Sequence, residues 1–323
     1  MEDVIKVEGL VKKFEKLTAV DGISFQIKQG EVFGLLGPNG AGKTTMLHML
    51  ATLLKPTEGT AVVNGFDIKK QPNKVRESIG MVFQDPSSDD ILTGYENLKL
   101  HALMYGVSSE LREKKINEVL ELVDLTDRKN DLVKKYSGGM RRRLEIARGL
   151  LHGPKILFLD EPTLGLDPQT REHMWNYIEK LVKEQNVTII ITTHYMEEAD
   201  RLCDRIAIID YGKVVVMDSP EKLKKALGGD IIKISMKNPD VEKVKKLDFV
   251  KNSKVVDGSL VLTVTDAGKN IQHILKTVGD VDSVEMRSPT LNDVFLHYTG
   301  REFREQTPEG NIMNRIMNLE ARR

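Results

Sequence analysis

The chain has 323 residues with 48 basic and 48 acidic side chains, a formal net charge of zero, so no global basic field argues for a nucleic-acid partner. Its single cysteine, Cys203, excludes a disulfide framework and any multi-cysteine zinc or iron–sulfur site, and points to a reducing, cytoplasmic setting. The opening "MEDVIKVEGL" lacks the apolar core of a signal peptide, and the longest apolar runs, "VTIIIT" and "KILFLD", are strand-length. The chain is therefore not expected to cross a membrane by itself.

In chain order, "VIKVEGL" (4–10) and "ISFQIKQGEVFGLLG" (23–37) read as strands, the second ending in a run buried on both faces. A helix is expected over 44–54, then short strands at "AVVNGFDI" and "SIGMVFQ", then a helical stretch from 98 to 151. Strand 155–160, helix 169–185, strand 187–193 and helix 195–203 follow, with strands at "RIAIID" and "GKVVVMD". Apolar strands separated by helices imply a mostly parallel sheet covered on both faces. The "GG" at 228–229 marks a domain boundary. Beyond it the order strand 230–236, helix 239–247, strands 250–256 and 259–265, helix 267–278 and strand 281–287 suggests a small βαββαβ, ferredoxin-like α+β domain, closed by a helix at 290–298. In the tail, 301–323, Ile312, Met313, Ile316, Met317 and Leu319 form an apolar stripe at helical spacing. It suits packing on its own domain or on a neighbouring subunit, with disorder the next reading, and is too small for stable membrane attachment without other contacts.

Chemistry concentrates at a few places. "GPNGAGKTT" (37–45) fits G-x-x-x-x-G-K-[ST] between a strand and a helix. Its glycines let backbone N–H groups surround phosphate oxygens, Lys43 adds a point charge, and the Thr44 hydroxyl suits Mg²⁺. "ILFLDEP" (156–162) delivers Asp160 and Glu161 to the carboxyl end of a strand, where open α/β sheets bind ligands. Asp160 suits metal coordination and Glu161 suits polarising a water. His194 ends another strand on that edge, and Gln84 ends "GMVF". In "YSGGMRRRLEIARGL" (136–150), Ser137 caps a helix and the bare amides of Gly138 and Gly139 offer a second anion site. By composition alone the arginines read as a solvated helix face. A second cradle either meets the same phosphate from the far side or serves another molecule's nucleotide.

These stretches, with "LGLD" (164–167), occur in one order with one spacing, and over residues 1 to about 220 the sequence resembles the ATP-binding subunit of an ABC transporter. The resemblance implies a P-loop NTPase fold of ABC type over 1–220, with a helical subdomain at about 85–151, followed by the small α+β domain at 229–300. It implies ATP and Mg²⁺, and a head-to-tail homodimer in which the Ser-Gly-Gly turn completes the partner's ATP site. Matched position by position, Phe14 is the aromatic that stacks on adenine, though it also suits a core. Gly37, Pro38, Asn39, Gly40, Ala41, Gly42, Lys43, Thr44 and Thr45 are the phosphate loop. Gln84 matches the glutamine that senses Mg²⁺ and meets the membrane subunit. Ser137, Gly138 and Gly139 match the signature, Asp160 the metal-binding acid and Glu161 the general base. Asp167 matches the interfacial aspartate and His194 the switch histidine. Tyr136 and Met140 stand where leucine and glutamine are common, without removing the Ser-Gly-Gly donors.

"SPTLNDVFLHYTGR" (288–301) and "LTGYENL" (92–98) look like the drug-resistance, daunorubicin type of export ATPase. That implies a separately encoded integral-membrane permease as partner and a peripheral place on the inner face of the cell membrane. The alternatives are an importer ATPase or a non-transport ABC ATPase.

Overall fold

The computed structural model describes residues 2–300 apart from 16, 238, 239 and 257; the tail expected to form an amphipathic helix lies outside the described residues. Two compact units are present, the first running to Met217 and the second beginning at Asp218.

The first unit holds two sheets. In one, β1 (Asp3–Phe14), β2 (Leu17–Lys28), β4 (Glu58–Val63) and β5 (Phe66–Asp67) lie in the order β2-β1-β4-β5, all antiparallel. In the other, β3 (Val32–Leu36), β6 (Ile79–Val82), β7 (Ile156–Asp160), β8 (Thr188–Thr193), β9 (Arg205–Asp210) and β10 (Lys213–Asp218) run in the order β10-β9-β3-β8-β7-β6. Pairs β6–β7, β7–β8, β8–β3 and β3–β9 are parallel. Every residue of β3, β7 and β8 is buried, as expected of strands covered on both faces. One apolar core joins the two sheets and α1 (Lys43–Leu50), and includes Phe25 stacked on Phe33 at 5.1 Å.

The single strand expected over 23–37 is two strands in different sheets. The chain reverses at Gly30, whose φ of 75° is open to glycine, and the Glu31 carboxylate accepts the Lys28 N–H at 2.8 Å. "AVVNGFDI" likewise splits into the β4–β5 hairpin, turning at Asn64–Gly65 with both φ positive. A helix the sequence reading passed over, α2 (Pro72–Ser78), follows, with proline in its first turn.

The stretch expected to be helical from 98 to 151 is three helices, α3 (Gly94–Met104), α4 (Ser109–Leu122) and α5 (Gly138–Leu150), with 3₁₀ turns at Thr126–Arg128 and Val133–Lys135. It breaks at Gly106 and Asp124, both left-handed. α3 starts at a capping box between Thr93 and Glu96. Next come α6 (Pro168–Gln185) and α7 (Met196–Leu202). No helix among the described residues is long and apolar enough to cross a membrane.

The second unit opens with α8 (Pro220–Ala226), capped by Ser219 and packed on α11 (Leu291–Thr299). It thus starts before the glycine pair at 228–229, because α8 makes its contacts within it. Strands β11 (Asp230–Ser235), β12 (Val250–Val256), β13 (Ser259–Val264) and β14 (Ser283–Arg287) form an antiparallel sheet in the order β12-β13-β11-β14. Helices α9 (Val241–Lys245) and α10 (Ala267–Val278) cover one face, closing a core of Ile232, Ile234, Leu260, Leu262, Val244 and Ile274. The order is the βαββαβ of the sequence reading.

"PTLNDVF" has a structural job. Asp293 accepts from the Thr290 N–H at 2.8 Å and hydroxyl at 2.9 Å, and from Arg287 Nη2 at 2.9 Å. Burial pushes its carboxyl up, but Arg287 and Thr290 outweigh that and hold it below the usual range. A lowered folded value means the stabilisation is complete above the ordinary aspartate range, about 4, and is lost as pH falls through the lower folded value. Asp293→Asn is therefore expected to cost about 1 kcal/mol at pH 7, and the gap between mutant and parent should close below about pH 4, in thermal melts at both pH values.

Candidate nucleotide and hydrolysis site

The carboxyl ends of β3, β7 and β8 meet at one edge of the parallel sheet. The phosphate loop leaves β3, and its first amide, Gly37 N–H, donates to Thr193 O at the end of β8 (3.3 Å). Gly42 heads α1 with φ 106°, and a Cβ there would come 2.3 Å from Ala19 O, so only glycine fits. No side chain caps α1 and no acid lies in its first turn. Its first amides are left for an anion, with the helix dipole behind them. Lys43 is buried and folds back along the loop, donating to Gly37 O (2.8 Å) and Pro38 O (3.2 Å).

Asp160 and Glu161 end β7 facing that loop. Thr44 Oγ1 donates to Asp160 Oδ1 at 3.0 Å, and Thr192 Oγ1 donates to the same oxygen at 2.5 Å. His48, one turn into α1, puts Nε2 3.9 Å from Asp160 Oδ2. Among the described residues no group of three or more His, Cys, Asp or Glu could hold a metal. The donor set at this edge is one carboxylate and one hydroxyl, which suits a Mg²⁺ that keeps waters and phosphate oxygens for its other positions.

Glu161 lies 3.4 Å from Lys43 Nζ through one oxygen and 3.2 Å from His194 Nδ1 through the other. Burial pushes the Glu161 carboxyl up, but His194 and Lys43 prevail and hold it below the usual carboxylate range. Burial pulls the Lys43 ammonium down, and Glu161 and Asp160 offset this only in part. The Glu161 amide donates to both Thr192 O (3.1 Å) and Thr192 Oγ1 (3.0 Å). The His194 ring lies tilted against Tyr195 with ring centroids 4.2 Å apart, and the Arg171 guanidinium lies 4.2 Å from the Tyr195 ring.

The Ser-Gly-Gly turn is placed apart from these contacts. Ser137 caps α5 by accepting the Met140 N–H at 3.3 Å, and Ser137 and Gly138 are exposed. The three arginines after it form no solvated face. Arg141 pairs with Asp90, and Arg143 binds the carbonyls of Val123 (3.0 Å) and Asp124 (3.1 Å). Arg142 is buried among main-chain carbonyls: Asp160 O (2.8 Å), Pro162 O (2.7 Å) and Phe83 O. Tyr136 is buried too, its hydroxyl donating to Arg128 O at 2.8 Å in the space where a Cβ on Gly94 would fall. The departure from the common pattern at Tyr136 is thus accommodated by the bare backbone of Gly94.

The remaining candidates stand at the margin. Gln84 is exposed just past β6, with its carbonyl 3.5 Å from Arg142 Nη1. Asp167 is the N-cap of α6, its carboxyl held low first by the Thr170 hydroxyl (2.6 Å) and then by the Thr170 amide (3.0 Å). Phe14 ends β1 with 39% of its surface exposed and Lys12 Nζ 5.0 Å from its ring centre.

Thr192, Arg142 and His48 are the residues that sequence reasoning did not single out. For Thr192 the available signal was a polar pair closing the apolar run of "VTIIITT". Thr192 is fully buried, so Thr192→Val keeps its shape while removing the donor to Asp160 and one acceptor for the Glu161 amide. A loss of about 1–3 kcal/mol in urea unfolding is expected, with lower ATP turnover in the same preparation.

Residues 20–164 match the family described as "ABC transporter", and residues 219–299 match "ATP-binding protein DrrA1-3-like, C-terminal domain". The chain is 38% identical over 306 residues to the daunorubicin resistance ATP-binding protein DrrA2 of Streptomyces coeruleorubidus, covering 92% of this chain and 95% of that protein. It is 38% identical over 312 residues to the linearmycin resistance ATP-binding protein LnrL of Bacillus subtilis (strain 168), covering 94% and 100%. Among solved structures, a dimeric post-hydrolysis state of the ATP-binding cassette MJ0796 bound to ADP and Pi is similar with a TM-score of 0.60 and 31% identity, over 67% of this chain and 98% of that one. With that fold, that phosphate loop and that likeness over nearly its whole length, the chain belongs to the ABC transporter ATP-binding proteins, in their drug-resistance and export branch, and is an ATP-hydrolysing transport ATPase.

Proposed function

We propose that this chain powers export through a separate transmembrane partner, and that it does so by ATP-driven closure of a head-to-tail dimer of two copies. The observation that carries this reading is a division of labour within one chain. Lys43, Glu161 and His194 are joined through Thr192 to Asp160 and Thr44 in one contact network, whereas none of the polar contacts found for Ser137 reaches it. Exposed amides at Ser137 and Gly138 suit a phosphate carried by another copy.

In this reading the phosphate loop and the first turn of α1 hold the β- and γ-phosphates, and Lys43 exchanges its loop carbonyls for phosphate oxygens. Phe14 stacks on the adenine with its exposed ring. Thr44 and Asp160 hold Mg²⁺, with Gln84 reaching it from the adjoining loop; when bound, the ion neutralises charge on the phosphates. Glu161, kept ionised by Lys43 and His194, accepts a proton from the attacking water. His194 turns Nδ1 to Glu161, which leaves Nε2 for a γ-phosphate oxygen. Ser137, Gly138 and Gly139 meet that phosphate from the second copy, beside the interfacial Asp167. ATP then favours the closed dimer because only that state supplies both sets of donors.

The partner's docking place is supported by α3. Leu100, Leu103 and Met104, at helical spacing, are 49%, 51% and 74% exposed, and Ile91 nearby in the chain is 74% exposed. An apolar stripe of this kind marks an interaction surface. The resistance functions in the relatives' names favour export over import.

Replacing Glu161 by Gln should lower turnover by about 10²–10⁴-fold while allowing a monomer-to-dimer shift in light scattering when ATP and Mg²⁺ are added. Adding Ser137→Arg should abolish that shift. A Glu161→Gln protein that hydrolyses ATP at the parental rate would overturn the base assignment, and one that binds ATP yet stays monomeric would overturn self-closure.

A further inference from the structure

Glu161 is held in a backbone conformation that its residue type rarely takes. Its φ is 46°, in the left-handed region, so the surrounding structure has to impose it. Its amide is fixed by Thr192. The peptide group before it and the one after Pro162 are held by one side chain. Arg142 donates from Nη2 to Asp160 O at 2.8 Å and from Nε to Pro162 O at 2.7 Å, thereby spanning Glu161. The third edge of the same guanidinium reaches Phe83 O and, at 3.5 Å, Gln84 O.

Arg142 is only 5% exposed, and each hydrogen bond found for it ends on a main-chain carbonyl. A buried guanidinium without a paired carboxylate is costly to keep, and burial is the main force pulling its pKa down. Its planar, fixed fork matches carbonyls placed on either side of one residue, which a lysine's single ammonium cannot do. One turn further along α5, Glu145 accepts from Ser87 Oγ (2.9 Å) and Ser88 N–H (2.8 Å), so the loop after Gln84 is gripped by the same helix.

We propose that Arg142 is a positioning residue for hydrolysis, setting the backbone of Glu161 and of Gln84 from the helix that carries the Ser-Gly-Gly turn. The proposal rests on Glu161 being the base assigned above. The sequence offered Arg142 only as one of three adjacent positive charges, so its role comes entirely from the carbonyls around it.

The test uses Arg142→Gln and Arg142→Lys in the full chain, each also combined with Glu161→Gln. Folding is checked by thermal melting, and if the Gln variant does not fold the Lys variant carries the comparison. Turnover should fall about 100-fold in both, as for a reacting group displaced by a fraction of an ångström to an ångström. KM for ATP should stay within about threefold, the pattern of a lost transition-state contact rather than lost binding. Placed on Glu161→Gln, the Arg142 changes should add less than about a twofold further loss, because both act at one step. Folded Arg142 variants with parental turnover, or an equal loss in the Glu161→Gln background, would overturn the positioning role. Parental turnover in Glu161→Gln alone would instead overturn the base reading beneath it.

Discussion

The site depends on a buried cation held between its own loop and an acid. Lys43 and Glu161 lie 3.4 Å apart, with side chains 4% and 8% exposed. Removing both charges from water is expensive, and such a pair is tolerated only when hydrogen bonds satisfy the remaining donors and acceptors. Here Gly37 O and Pro38 O satisfy Lys43, and His194 stands at the other oxygen of Glu161. Lys43 is thus satisfied before nucleotide arrives, and in the proposed cycle phosphate oxygens replace the loop carbonyls and add to the acid's grip on the lysine. A group arranged this way is poised toward an incoming anion without an unpaired buried charge in the meantime.

Around that pair the architecture places everything by strand ends. β3 delivers the phosphate loop, β7 the two acids and β8 the threonine and histidine, all at one edge of the sheet, and these three strands are buried on both faces. The edge where carboxyl ends collect is where such sheets bind ligands. Helix α5 ties this edge to the loop after Gln84 through Arg142 and Glu145. The Ser-Gly-Gly turn, at the head of the same helix, is therefore tied to Glu161 through Arg142, while the hydrogen bond found for Ser137 stays within α5.

Much of this was legible in the residues. Runs such as "ILFLD" and "TIIITT" announce doubly covered strands, and the phosphate loop, paired acids and capped glycine turn each carry their chemistry in local spacing. The βαββαβ order of the second unit could be read because its strands are short and its turns well marked. What stayed hidden depends on distant partners. The apolar run across 23–37 suits either sheet, and only the Gly30 reversal divides it. Arg142 was indistinguishable from Arg141 and Arg143 until carbonyls from β6 and β7 surrounded it. Tyr136 looked like a departure from pattern until Gly94 was found making room for its hydroxyl.

The central claim is that each nucleotide is shared by two copies, and complementation tests it most directly. Lys43→Ala and Ser137→Arg proteins, each inactive alone, are mixed in equal amounts and assayed for ATP hydrolysis. Sharing restores one intact site in every mixed dimer, so activity should recover to about a quarter of the parental level, the statistical share of intact sites. If both motifs served the same chain's nucleotide, the mixture would stay as inactive as its components.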